Sequence, residues 1–401
     1  MKYCLALICA LYATVCIGQN ITISGKVLDK ETKEPLQFAS IGIFGQSLGT
    51  ITNLQGEFDF HIPASYRNNI FGINMLGYKT FETPVWSILK DSLIIEMEKS
   101  NFLLQEVLVS DTLVGGDIMR IAITRIEQNY PDKAFMLEGF YRDLKKVADT
   151  YVSLLEAAVK IYDEDYKEPR NKFKLRERVA LKEVRRSLGY SSKFTSFFDQ
   201  DNLLEDLLLN NTVRYRQFPE EDIFFASLAR EKDSYYNGQE VFVIAHTREY
   251  LLRVYIDKKT YGILHIDYEN NQQQELGKKR RLVSKFVKLK RVVDFKLFEG
   301  RLYVNYITVD SQINWYEEDT NELKFETELH RQFLVNKVVP NTLEKISMRE
   351  RMKSYGLQYQ DQAYNKEFWN NYNLIKESTL DKKIVQDLER EASLESQFQD
   401  H

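Results

Sequence analysis

The chain has 401 residues, with 55 Lys and Arg against 59 Asp and Glu, and its slightly acidic balance offers nucleic acid no basic footprint. With 24 Tyr and 24 Phe against 7 Pro and 17 Gly, it has the aromatic enrichment of extensive β-sheet and few of the breaks of a disordered chain. All three cysteines, Cys4, Cys9 and Cys16, precede residue 19, so the rest of the chain forms no disulfide and no thiolate metal site.

The opening MKYCLALICALYATVCIG has one charge, Lys2, and an apolar run from Leu5 to Val15 that is too short to span a bilayer but suits the core of an export signal. Small residues Cys16 and Gly18 stand three and one places before Gln19, where a signal peptidase needs them. Residues 1–18 therefore read as a cleaved leader. A lipid anchor on Cys16 is the rival reading, and Val15 is a poor residue to precede it. The remaining roughly 380 residues suffice for two or three domains, and no later segment approaches the ~18 apolar residues of a transmembrane helix.

Residues 19–110 show short strands between turn signals. ITISGKVLD alternates, Gln37 to Phe44 is apolar and β-branched, Glu57 to Ile62 alternates again, and Asp91 to Met97 closes the set. About seven strands at this spacing predict a β-sandwich. Glu34-Pro35 and Asn53-Leu54-Gln55-Gly56 supply turns, and Gly77 supplies a further reversal. The segment 101–110, NFLLQEVLVS, reads as a last apolar strand.

These residues carry a resemblance. Gly25, Val27 and Asp29, then Pro35, Leu36 and Ala39, then Gly49, Thr50, Thr52, Asn53, Gly56 and Phe58, and finally Gly77 and Tyr78 resemble the carboxypeptidase-like regulatory domain found at the front of many envelope proteins and TonB-dependent receptors. The resemblance implies a transthyretin-like seven-stranded sandwich without an active site.

Residues 111–131 read as a linker with paired glycines and one short helix from Gly116 to Asn129, stopped by Tyr130-Pro131. From 132 to 345 long segments run at strand length: Phe135 to Val147, Tyr151 to Tyr162, Phe173 to Val184, Ile223 to Leu228, Gln239 to His246, Leu251 to Asp257, Gly262 to Tyr268, Leu282 to Phe295, Leu302 to Asp310 and Leu323 to Leu334. They predict one large, curved antiparallel sheet, a half-barrel, interrupted by a leucine-rich helix over Asp201 to Asn210. The hairpin YLLRVYIDKKTYGILHIDYE is similar to those of outer-membrane lipoprotein-carrier folds, which implies a half-open barrel around a helix. Residues 346–401 read as a polar helical tail, broken near Ser378-Thr379.

Chemistry-bearing motifs are absent: no GxSxG, HExxH, GxxxxGK[ST] or dinucleotide fingerprint occurs. The histidines are His61, His246, His265, His330 and His401. His246 and His265 fall on neighbouring predicted strands and could share a face, but two histidines are too few for zinc. Asp163-Glu164-Asp165 and the group Asp199, Asp201, Glu205 and Asp206 do not follow a calcium loop and read as an acidic loop and a helix start. The basic run from Lys278 to Arg291 reads as a solvated strand in preference to a contact for anionic lipid or glycan. Trp315-Tyr316 and Phe368-Trp369 read as packing aromatics in preference to partner contacts.

No catalytic, cofactor-binding or metal site is assigned and no cofactor is expected. The sequence points to an exported, non-catalytic protein of the periplasm or outer-membrane periphery of a Gram-negative-type cell. It would act as a binding or structural module for another envelope protein or for a lipid, with carriage of an acyl chain in a half-barrel groove as the alternative.

Overall fold

The computed structural model describes residues 20–89, 93–100, 113–188, 197–198, 203–236, 238–352, 356–360, 362–376 and 379–399. The leader, the expected strand over 101–110, Asp199, Asp201, the expected break at Ser378 and His401 lie outside the described residues.

Among the described residues seven strands form the N-terminal body: β1 (Asn20–Asp29), β2 (Ser40–Ile43), β3 (Gly49–Ile51), β4 (Glu57–Pro63), β5 (Ile70–Asn74), β6 (Phe81–Pro84) and β7 (Leu93–Met97). A three-stranded sheet ordered β4-β1-β7 and a four-stranded sheet ordered β3-β2-β5-β6 share one apolar core. Ile23, Val27, Phe58 and Phe60 from the first meet Ile41, Ile43, Phe71 and Ile73 from the second. Period-two alternation is the cause, since every second residue of β1 and β4 is buried.

The residues of the sandwich resemblance have local work. Asp29 accepts hydrogen bonds from the N–H of Glu31 and Thr32 and from the Tyr78 hydroxyl at 2.7 Å. These bonds, the one from Thr32 foremost, hold its carboxyl well below the usual range. Thr52 Oγ1 donates to the Leu36 carbonyl and accepts from the Ala39 N–H. Gly56 has φ +73°, and a Cβ there would lie 2.4 Å from the Val27 carbonyl oxygen, so the turn begun at Asn53 requires glycine.

The second body is, among the described residues, one open twelve-stranded sheet. Its strands are β8 (Phe135–Val147), β9 (Thr150–Asp163), β10 (Arg178–Arg186), β11 (Ala229–Arg230), β12 (Ser234–Tyr236), β13 (Gln239–His246), β14 (Leu251–Asp257), β15 (Ile263–Asn270), β16 (Gln274–Lys279), β17 (Leu282–Phe298), β18 (Arg301–Glu317) and β19 (Leu323–Val339). Their order is β10-β9-β8-β19-β18-β17-β15-β14-β13-β11, with β12 on β13 and β16 on β17. All of these neighbours are antiparallel, as expected.

Helices depart from expectation more than strands do. The single helix expected over Gly116 to Asn129 is two, α1 (Gly115–Thr124) and α2 (Ile126–Asn129). They part at Arg125, which leaves helical geometry (φ −94°, ψ 7°) with its guanidinium over the Tyr261 ring. The leucine-rich helix is α3 (Leu203–Leu209), followed by α4 (Thr212–Tyr215). Ile223 to Leu228, expected as a strand, is α5 (Asp222–Ala226). Phe224 and Phe225 are buried there while Ile223 is 80% exposed, so a helical stripe and not a strand face buries the apolar run. The strand expected from Phe173 begins at Arg178, because the Arg176 N–H is drawn instead to the Tyr215 hydroxyl. Among the described residues the tail forms three α-helices, α6 (Lys366–Asn371), α7 (Thr379–Leu388) and α8 (Leu394–Gln399).

One face of the large sheet is filled. Ile118, Met119 and Ala122 of α1, Leu203, Leu204, Leu207 and Leu208 of α3, and Phe224 and Phe225 of α5 join Tyr141, Val159, Val293, Phe295 and Phe333 in a continuous core. A cavity of about 20 Å³ remains, room for one water. The open apolar groove that acyl carriage needs is therefore missing from this face among the described residues, because the helices occupy it.

Candidate functional site

The opposite face of the large sheet is polar, and its register explains why. Across β15, β17, β18, β19 and β8 the partners run Asp267, Val292, Thr308, Gln332 and Arg142 in one row, with Asp310, His330 and Leu144 beside it. Side chains in register on antiparallel strands share a face, so charges scattered over 190 residues of sequence are collected into one surface.

The sandwich and the tail cover this surface without filling it. Phe38 stacks on Tyr306 with centroids 5.7 Å apart, and Ile51 packs with Phe140, Val292, Leu334, Trp369 and Ile375. Residues 371–376 run between the two bodies as a strap. The Asn373 side chain accepts from the His61 N–H at 2.7 Å and donates to the His61 carbonyl at 3.0 Å. Asn336 donates to the Asn373 carbonyl, Lys376 pairs with Asp59 at 2.9 Å, and the Tyr372 hydroxyl donates to the Gly139 carbonyl. Between sandwich, sheet and strap lies a groove of about 640 Å³, within the size range of small-molecule sites.

Its floor is organised around Asp294. This carboxylate accepts from His265 Nδ1 at 2.8 Å, the Tyr236 hydroxyl at 3.1 Å and Asn305 Nδ2 at 2.9 Å; Asn305 also reaches Ser40 of the sandwich. His265 Nε2 lies 3.3 Å from Asp267. Burial opposes the imidazolium charge, but the bonds to Asp267 and Asp294 outweigh it and push the pKa up to about 10. His330 repeats the pattern between Asp310 at 3.0 Å and Glu328 at 3.3 Å. There too burial is overcome, the pKa rising to about 9, while the bond from His330 pulls Glu328 down to about 2. Lys296 donates to the Ser47 carbonyl of the sandwich and the Val335 carbonyl of the sheet, and burial lowers its pKa to about 8.

Each groove imidazole thus has a carboxylate beside both of its ring nitrogens, an arrangement that favours the protonated ring. Among the described residues no three His, Cys, Asp or Glu side chains are placed to hold a metal ion. The floor presents hydrogen-bonding and charged groups to the groove.

The other residues singled out by sequence are dispersed. His246 and His265 are not neighbours: β14 lies between their strands, and the register puts them on opposite faces. His246 Nδ1 lies 3.0 Å from Ser227 Oγ and Nε2 2.8 Å from Glu249. His61 lies 2.8 Å from Thr22 Oγ1 in the sandwich. Asp163 is buried in an ion pair with the fully buried Arg214, Nε to Oδ2 2.5 Å, and Asp206 pairs with Arg331. In the basic run Lys278 pairs with Glu318, Arg281 with Asp319 and Lys288 with Glu269, while Arg291 turns inward over the Tyr268 ring. Trp315 and Trp369 are buried. Sequence reading missed Phe38, Asp294, Thr308, Gln332 and the strap, and took Lys290 only as part of the basic run. The one available signal was an acid inside an apolar strand, as Asp294 in VVDF.

The fold and groove define a class: a sandwich docked on the polar face of an open antiparallel sheet, with a shared cleft. Residues 23–109 match the family model of the CarboxypepD_reg-like domain, so the N-terminal sandwich is a domain of this kind. Among curated proteins none matches the chain. MucB in complex with MucA(peri) is 9% identical, covers 57% of this chain and 99% of its own, and has a TM-score of 0.21. The Pseudomonas aeruginosa MucA/MucB complex gives 10%, 57%, 99% and 0.19. Lipovitellin gives 6%, 54%, 26% and 0.25. Scores this low establish no common fold. Among the described residues no helix is long and apolar enough to cross a membrane.

Proposed function

We propose that this chain is an exported, non-catalytic protein of the cell envelope that binds another envelope component in the groove between its two bodies. The observation that carries the reading is the groove: both bodies build it, and its histidines are saturated by carboxylates instead of poised for chemistry. The leader-like first 18 residues and the match of the sandwich to the CarboxypepD_reg-like domain support the envelope setting. The filled helix face of the sheet speaks for this site over acyl carriage.

A photo-crosslinking amino acid placed at Leu54, which lines the groove, is compared in living cells with one at Leu297, 55% exposed and outside the groove lining. A discrete adduct in the envelope fraction from Leu54 and none from Leu297 is expected. Equal labelling from both positions, or recovery of the chain only in the cytosol, overturns the reading.

A further inference from the structure

The groove has two unlike walls. Its floor presents Lys290, Asp267, Asp310, Thr308 and Gln332 from β15, β17, β18 and β19. Its roof presents Leu36, Phe38, Leu54, Met75 and Leu76 from the sandwich. Strands lie about 4.8 Å apart, so four of them spread floor groups over roughly 14 Å.

The floor mixes donors and acceptors. Lys290 only donates, Asp267 and Asp310 only accept, and Thr308 and Gln332 do both. Among the described residues Lys290, Thr308 and Gln332 make no side-chain hydrogen bond to the protein, whereas Asp267 and Asp310 are already committed on one side to histidines. The free capacity is therefore interspersed in sign, and this discriminates among ligands. A phosphate or sulfate would meet Lys290 but also Asp267 and Asp310, while Arg142 and Lys376, which line the groove too, are already paired with Glu156 and Asp59. An acyl chain would strip water from five polar groups and return no hydrogen bonds, a cost of a few kcal/mol for each. A ligand whose own groups both donate and accept, and which also has an apolar face for the roof, meets every wall.

We infer that the groove binds a neutral oligosaccharide, whose hydroxyl groups would bond Lys290, Asp267, Thr308 and Gln332 while the C–H faces of its rings lie against Phe38 and the neighbouring roof residues. This rests on the reading of the groove as a binding site and adds the ligand class. Strands fix the backbone positions from which the floor groups project, so only side chains need ordering on binding. The Phe38–Tyr306 stack fixes an aromatic surface at the junction of roof and floor.

The test titrates the purified full chain, from Gln19 onward, with tetrasaccharides of glucose, N-acetylglucosamine, mannose and galactose, followed by calorimetry. Saturable one-to-one binding of at least one is expected, weakened tenfold or more in Gln332→Leu and in Lys290→Met, each checked for an unchanged circular-dichroism melt. Lys290 is exposed, so its variant keeps the test open should Gln332→Leu unfold. No saturable binding at millimolar tetrasaccharide, or binding indifferent to both substitutions, overturns the inference. Retention of the chain on phosphatidylglycerol vesicles, lost in Lys290→Met, with no saccharide bound, also overturns it. A Leu54 cross-link to a protein or lipid with no saccharide bound sinks the ligand class and leaves the binding reading standing; no Leu54 adduct sinks both.

Discussion

His265 and His330 show how a neutral-looking strand residue becomes a fixed charge. Each imidazolium lies between two carboxylates on the same sheet face. Their pKa values stand above the unfolded value near 6.5, so the stability they contribute is complete below pH 6.5 and fades as the pH rises through about 9 for His330 and about 10 for His265. An NMR titration of the Cε1–H resonances is expected to show both rings still protonated at pH 7.5; a midpoint near 6.5 for either would break the ion-triad description. Single-residue reading of the sequence saw the histidines but not their partners, because Asp294 and Asp310 lie 29 and 20 positions away and meet them only through strand register.

At the scale of elements, alternation made the strands legible and bulges concealed their ends. β17, β18 and β19 run to 17 residues each, longer than their patterns indicate. Register shifts at Asp294/Phe295, Trp315/Tyr316 and Val335/Lys337 swap the faces and break the period-two signal. The helix α5 was misread because six mostly apolar residues fit either period. Gly139 is a position where packing dictates the residue. A Cβ there would stand 2.5 Å from the Phe333 ring and 2.7 Å from the Leu334 carbonyl oxygen. Gly139→Ala is expected to cost about 1–3 kcal/mol through forced displacement of β19, measured by urea denaturation; an unchanged midpoint would show that Phe333 yields freely.

For the molecule as a whole, the two-body plan was legible and the joint was not. Asn53 and Lys376, 323 positions apart, share no pattern that a linear reading can connect, and the tail's polar composition conceals that it holds sandwich to sheet. Asn373→Ala removes both bonds to the His61 backbone and is expected to weaken docking by about 1–3 kcal/mol. The chain has no cysteine after Cys16, so spin labels on cysteines introduced at the exposed Ile94 and Leu323 report the distance between bodies. A broadened distribution in the Asn373→Ala chain is the expected result, and an unaltered one would move the joint elsewhere.

The pairing of β8 with β19 has a consequence in time. β8 to β10 form one hairpin series and β13 to β19 another, and the two meet only where Phe135–Val147 zips against Leu323–Val339. A chain delivered from its N-terminus can complete the sandwich and the first three strands early. The middle of the sheet must wait for Leu323–Val339, which follow Arg186 by well over a hundred residues, a closure across long sequence separation of the kind that slows folding. The last seam to form is thus the one beneath the groove, so a chain stalled before Leu323 would hold a finished sandwich facing Lys296, Asn305 and Tyr306 but lacking both β19 and the strap that secures the joint.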